Sequence, residues 1–144
     1  FAHGVRSYIK NGMVAEITQG LVDTMIDAFV ADPRMALFTH TAGGAVKRVG
    51  ELDTAFPHRN AETMILVGGG WMDPTMDAEC MNIGRSWFKE FEPFTGGYYD
   101  NIDFDGANSD GSNYGPAYGR LAQVKKQYDP GNLFRLNRNI KPAA

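Results

Sequence analysis

The sequence predicts an α+β fold in which an antiparallel sheet carries helices on one face. Two observations point there. Residues 35–41 (MALFTHT) and 63–67 (TMILV) are short, β-rich runs in which successive side chains point to opposite faces. Residues 18–31 and 73–91 instead repeat their apolar residues at three- and four-residue steps, the signature of amphipathic helices. Such helices need an apolar surface to cover, and a sheet provides it.

The first element is a run at 6–14 (RSYIKNGMV), with Tyr8, Ile9, Met13 and Val14 as its apolar residues. Asn11-Gly12 interrupts it, so a kinked strand and a hairpin are both open, because Asn-Gly favours tight turns. Thr18 then has the hydroxyl to cap a helix whose apolar face is Leu21, Val22, Met25, Ile26, Phe29 and Val30. Asp32-Pro33 ends that helix, since proline disfavours a helical residue before it. In the strand at 35–41, Phe38 and His40 share one side and Leu37 and Thr39 the other. Gly43-Gly44 supplies a turn or a close backbone approach, without the spacing of a phosphate-binding loop.

Residues 54–59 (TAFPHR) form a connector into the strand at 63–67, where Met64, Leu66 and Gly68 share a face. Asp73-Pro74 then starts a helix with a capping carboxylate followed by proline at the first helical position. Its stripe is Met76, Cys80, Ile83, Trp87 and Phe91, with Gly84 inside it; Pro93 and Gly96-Gly97 mark its end. Cys80 falls on this stripe and reads as a small core residue. A further strand is expected at 98–104 (YYDNIDF), placing Tyr99, Asn101 and Asp103 on one face. The polar stretch at 105–113 reads as a solvated loop, its acids lacking an EF-hand pattern. A last amphipathic helix is expected through Tyr114, Tyr118, Leu121, Val124 and Tyr128, halted by Asp129-Pro130-Gly131-Asn132. Leu133, Phe134 and Leu136 then give an irregular tail apolar anchors, so it is expected to be docked.

Composition narrows the function classes. The chain of 144 residues is 43% hydrophobic, which suits a folded domain rather than a disordered segment. Its 14 bases against 17 acids give a formal charge of -3 and no global reason for nucleic acid or an anionic membrane as partner. No apolar run approaches the length of a transmembrane helix. A single cysteine excludes an internal disulfide, and His3, His40 and His58 show no metal-ligand spacing, so no metal is expected. The start, FAHGVRSYIK, has neither an initiator methionine nor a signal-peptide core and reads as an internal start, which leaves localisation open.

The chain's polar chemistry concentrates in Tyr99 with Asn101, and in Asn137 with Asn139. A tyrosine serves as a general base once a neighbour lowers its pKa, and an asparagine offers both donors and an acceptor. Packing of Tyr99 among strand neighbours and backbone capping by the tail asparagines are the competing structural readings.

The closing run Arg120-Leu121, Val124-Lys125, Tyr128-Asp129-Pro130, Asn132-Leu133-Phe134-Arg135 and Asn137-x-Asn139-Ile140-x-Pro142 closely resembles the end of berberine-bridge-enzyme-type FAD-linked oxidases. The resemblance extends upstream through Gly43-Gly44-Ala45-Val46, residues 54–59, Trp71-Met72-Asp73-Pro74 and Tyr99-x-Asn101. It implies the C-terminal third of such an enzyme, with a larger FAD-binding domain expected before Phe1. Residues 1–112 would be part of the substrate domain, and 113–144 a segment that returns to pack on the flavin domain. The implied reaction is oxidation of an alcohol or another C–H bond by hydride transfer to FAD, with dioxygen as the final acceptor and a small molecule as substrate.

By the same resemblance, Tyr99 is the candidate base and Asn101, Asn137 and Asn139 are candidate cofactor contacts. His40, Met64 and Leu66 are candidates for the substrate side. Plant relatives carry catalytic polar residues at the places of Met64 and Leu66, so this chain departs from their mechanism. Some relatives also have an aromatic residue directly after the asparagine, where this chain has Ile102, which leaves the choice of tyrosine open. Two other readings stand beside the oxidase: a truncated, non-catalytic domain without flavin, and a flavin dehydrogenase that uses an acceptor other than oxygen.

Overall fold

The computed structural model describes residues 3–32, 34–105, 112–136 and 138–144. The chain divides into two units, one of Phe1–Gly43 with Ala61–Phe104, the other of Gly44–Asn60 with Asp105–Ala144. Residues 44–60, inside the expected 1–112 portion, thus cluster with the closing segment.

In the first unit, β1 (Arg6–Val14), β2 (Ala36–Thr41) and β3 (Thr63–Trp71) form an antiparallel sheet in the order β1-β3-β2. Helices α1 (Gln19–Ala31) and α3 (Asp77–Phe91) supply its cover. Val14, Ile65 and Val67 of the sheet meet Leu21 of α1 and Trp87, Phe88 and Phe91 of α3 in one core. Cross-strand partners share a face, so Ile65 and Val67 define the helix side while Met64 and Leu66 define the other. This is the α+β arrangement the periodicity predicts.

Several local expectations change. β1 runs straight through Asn11-Gly12, pairing Asn11 with Leu66 and Gly12 with Ile65, with neither kink nor hairpin. The glycine serves packing instead of a turn. A Cβ on Gly12 would lie 2.3 Å from Thr95 Cγ2 and 3.3 Å from Phe88 Cζ, so only glycine admits those side chains. β3 likewise continues past Val67 through three glycines to Trp71. There Met35 Sδ occupies the space beside Gly69, 2.8 Å from where its Cβ would be.

Helix α1 begins as expected, with Thr18 Oγ1 accepting the Leu21 amide at 3.2 Å. Its apolar face is only partly used: Leu21 is buried, but Ile26, Phe29 and Val30 are 57–75% exposed. Pro33, the expected stop, lies outside the described residues; Asp32 is already extended at φ −149°. Asp73 caps a 3-10 turn over Pro74–Met76, its Oδ1 accepting the Thr75 amide at 2.9 Å, and α3 follows. Asp77 in the first turn of α3 accepts from Trp71 Nε1 at 2.7 Å and pairs with Arg6. Because Arg6 and Trp71 are cross-strand partners, one carboxylate ties the end of the β1–β3 ladder to α3. Both donors hold that carboxyl below the usual carboxylate range, the Arg6 hydrogen bond contributing most.

The strand expected at 98–104 does not form. Asp100–Ile102 is a 3-10 turn, closed by the Ile102 amide donating to Tyr99 O at 3.3 Å. The flanks still run along the outer edge of β1. The Met13 amide donates to Gly97 O at 2.7 Å, the Gly96 amide to Met13 O at 2.8 Å, and the Phe104 amide to Ile9 O at 3.2 Å. A turn between these anchors breaks the alternation that the strand reading assumed.

In the second unit, α2 (Ala45–Arg48) is a single turn and α4 (Tyr118–Tyr128) is the main helix. The expected helical start at Tyr114 is replaced by a 3-10 stretch over Ser112–Ala117, kinked at Gly115 with φ +47°. Such a backbone is open to glycine at little cost and resets the helix axis. Asp129 ends α4: its carboxylate pairs with Lys125 and accepts the amides of Leu133 at 2.7 Å and Phe134 at 3.0 Å. The tail is therefore held through its backbone. Its apolar residues Leu133, Phe134 and Leu136 are 71–85% exposed in this chain.

Candidate functional site

The structure brings His40, Met64 and Leu66 together. Met64 pairs with His40 across one side of β3 and with Met13 across the other, while Leu66 pairs with Phe38 and Asn11. All lie in two adjacent rows on the sheet face opposite the helices. Leu66 and Met13 are buried, Met64 is half-buried, and Phe38 and His40 are exposed. Alternation on the central strand thus builds a patch of thioether, aliphatic and aromatic surface with one imidazole at its margin. Such a patch has little to move a proton with except His40.

Tyr99 and Asn101 form a second cluster, in a geometry the sequence did not suggest. The 3-10 turn brings Asn101 back so that its Nδ2 donates to the Tyr99 hydroxyl oxygen at 2.9 Å. On a regular strand, i and i+2 side chains would merely stand side by side. Tyr99 itself is clamped by Asn11, which is fully buried. Asn11 Nδ2 donates to Tyr99 O at 2.9 Å, and Asn11 Oδ1 accepts the Tyr99 amide at 2.5 Å. Sequence reasoning passed over Asn11 because Asn-Gly reads as a turn. Its place two residues from Ile9 and two from Met13, on the same face of a strand, was the available signal.

Of the tail amides, Asn137 lies outside the described residues. Asn139 lies in the second unit, with its Oδ1 shielded from solvent and lacking a hydrogen-bond partner among the described residues. A buried carbonyl oxygen left without a donor is costly, and donors such as a flavin ring N–H or a ribityl hydroxyl match it. The described residues therefore fit the ring or ribityl part of FAD at Asn139. The starts of α1 and α3 do not fit its pyrophosphate. Helix α1 starts on the Thr18 cap and α3 on the turn capped by Asp73, neither preceded by a glycine loop.

The first unit also has an apolar cavity of about 420 Å³, lined by Leu21, Met25, Ile26 and Phe29 of α1 and by Leu37 and Thr39 of β2. It lies on the helix side of the sheet, away from the His40–Met64–Leu66 face. It offers no acid, base or nucleophile. Among the described residues no three His, Cys, Asp or Glu side chains gather to hold a metal. Nor, among them, is any helix long and apolar enough to cross a membrane.

Comparison with known proteins gives this geometry its context. Residues 97–141, which include Tyr99, Asn101 and Asn139, match the family described as berberine and berberine like. An FAD-linked oxidoreductase of Dictyostelium discoideum is 29% identical over 148 residues, a match covering 97% of this chain and 32% of that protein. Berberine bridge enzyme-like 2 of Arabidopsis thaliana is 28% identical over 145 residues, covering 87% and 27%. Among solved structures, CrmK, a flavoenzyme involved in shunt product recycling in caerulomycin biosynthesis, superposes with a TM-score of 0.83 at 25% identity, over 99% of this chain and 33% of that one. The chain therefore spans about a third of the length of the relatives it matches. The chain is thus similar to berberine bridge enzyme-like and FAD-linked oxidoreductases, and its residues 97–141 carry the berberine and berberine like domain.

Proposed function

We propose that this chain is the C-terminal portion of a flavin-dependent oxidoreductase that oxidises an alcohol or another C–H substrate, with dioxygen as the final electron acceptor. The observation that carries the reading is the Tyr99–Asn101 pair inside the matched span, a phenol oxygen held by an amide donor at 2.9 Å. FAD, when bound, supplies the two-electron acceptor for the substrate's hydride. In this reading Tyr99 takes the hydroxyl proton, so the alcohol leaves as a carbonyl having lost one hydride and one proton. The acceptor of that proton is the Tyr99 phenolate, whose oxygen keeps the Asn101 amide as its donor. Asn139 offers its carbonyl oxygen to the cofactor, and Asn137 is the second tail amide proposed for it. Met64 and Leu66 present apolar surface to the substrate body, with His40 at its edge. The exposed Leu133, Phe134 and Leu136 are the surface that would pack on a flavin-binding domain elsewhere in the parent protein.

The test is Tyr99→Phe in the full-length flavoprotein. General-base catalysis is worth about 10²–10⁴-fold. Anaerobic single-turnover flavin reduction should slow on that scale with the flavin retained; parental rates would move the base elsewhere, with Tyr98 next. One observation favours a second reading, a non-catalytic domain: Met64 and Leu66 leave the central strand without a proton-transfer group. A full-length protein purified without flavin, and unable to take it up, would establish that reading instead.

A further inference from the structure

We infer that Asn11 is the positioning residue for Tyr99, holding its backbone on both sides so that the phenol and its Asn101 partner keep one setting; this rests on the reading of Tyr99 as base. Three observations carry it. The segment 96–104 is anchored to β1 by backbone bonds at Met13 and Ile9, two residues to either side of Asn11. At Asn11 the ladder is interrupted by the 3-10 turn, and the side-chain amide makes both bonds in its place, to Tyr99 O at 2.9 Å and from Tyr99 N at 2.5 Å. The amide is also fully buried, so neither bond is exchanged for water without opening the edge.

Only asparagine combines a donor and an acceptor at this reach. Aspartate would set an oxygen against the Tyr99 carbonyl, and glutamine would push the segment outward by one methylene. Gly12 next to it leaves room for Thr95 to pack against β1, which keeps the segment close enough for a short side chain to span the gap. Asn11 touches neither substrate nor flavin in this scheme. It acts through the placement of Tyr99, and misplacements of about 1 Å near a reacting group cost on the order of 10²-fold in rate.

The experiment uses the full-length flavoprotein and four variants: Asn11→Ala, Asn11→Asp, Tyr99→Phe, and Val14→Ala as a control on the same strand. Val14 is equally buried but belongs to the core cluster, and its side chain points to the face opposite Asn11. Amide hydrogen exchange at Tyr99 and anaerobic flavin reduction are measured well below each variant's Tm. Both Asn11 variants should speed Tyr99 amide exchange by about tenfold or more and lower kcat by about 10–100-fold with KM held, while Val14→Ala moves Tm alone. If Asn11→Ala does not fold, Asn11→Asp, nearly identical in shape, carries the comparison. Exchange and kcat that match Val14→Ala in the Asn11 variants overturn the inference. Should Tyr99→Phe reduce flavin at the parental rate, the catalytic reading fails by itself, and Tyr99 exchange still decides whether Asn11 sets the segment.

Discussion

Gly84 of α3 lies against the ring of Tyr8 in β1, so closely that a Cβ on Gly84 would sit 2.7 Å from Tyr8 Cδ1 and 2.9 Å from Met35 Cε. A mid-helix glycine costs about 1 kcal/mol relative to alanine. Here it lets the helix approach the sheet closely enough to bury Tyr8 to 1% exposure. Two effects compete in Gly84→Ala. The helix gains propensity, while the core must open around a phenol ring and a methionine tip, at about 1–3 kcal/mol for overpacking. The ring is packed on its other side and has nowhere to go, so overpacking wins. Gly84→Ala should lower the Tm, and a rise would show that α3 stands further from β1 than described.

A graded pair tests where the core ends. Phe91 is fully buried in the cluster with Trp87 and Leu21, whereas Ile83 packs against that cluster while only partly buried. Phe91→Ala should therefore cost about 3–5 kcal/mol, and Ile83→Ala distinctly less than the 2–5 kcal/mol of a fully buried aliphatic. The first is a large share of a typical domain's 5–15 kcal/mol. Urea unfolding of the two variants checks the order. Equal losses would mean that the stripe of α3 is buried evenly along its length, as the sequence periodicity alone suggests.

That contrast shows what was legible in advance and what was not. Helical and strand periods are properties of consecutive residues, so α1, α3, β2 and β3 could be located from side-chain pattern alone. Thr18 and Asp73 were legible as caps because capping is local too. Gly12, Gly84 and Asn11 were not, because each answers to a residue distant in sequence: Thr95, Tyr8 and Tyr99. The 3-10 turn at Asp100–Ile102 escaped for the same reason, since its anchors Met13 and Ile9 lie on another strand. In the tail, the amides of Leu133 and Phe134 bond Asp129 while their side chains stay exposed, a backbone contact that apolar pattern alone does not reveal.

Asp77 makes the first unit sensitive to acid. Its carboxyl is held below the usual range by the Arg6 hydrogen bond above all, then by that of Trp71. A carboxylate whose folded pKa lies below its unfolded value, about 3.9, stabilises the fold fully above that value. The contribution is lost as pH falls through the lower folded pKa. The Tm should thus hold from neutral pH to about pH 5 and decline below about pH 4. Asp129, lowered chiefly by its Lys125 hydrogen bond, acts in the same window and sign on the second unit. In Asp77→Asn the acid decline should be shallower and the neutral-pH Tm lower. An acid limb identical to the parent's would mean that the Arg6–Asp77 pair is too screened to matter.

The 144-residue chain alone should not retain FAD in a one-to-one complex. Most of the cofactor's charge sits on its pyrophosphate, and a protein that grips a dinucleotide meets that group with backbone amides at a helix start. Here the Leu21 amide near the start of α1 is already taken by Thr18, and the Thr75 amide before α3 by Asp73. Helix α2, the one that follows a glycine pair, is a single turn. What remains is Asn139, with Asn137 proposed beside it, for the ring or ribityl edge, neutral contacts of about 0.5–1.5 kcal/mol each. That is far short of the roughly 8 kcal/mol of micromolar binding. Mixing the purified chain with FAD and separating free flavin on a desalting column should leave a colourless protein. A yellow fraction with one flavin per chain would require a phosphate site other than the starts of α1, α2 and α3, and would shift cofactor binding from the rest of the parent to these residues.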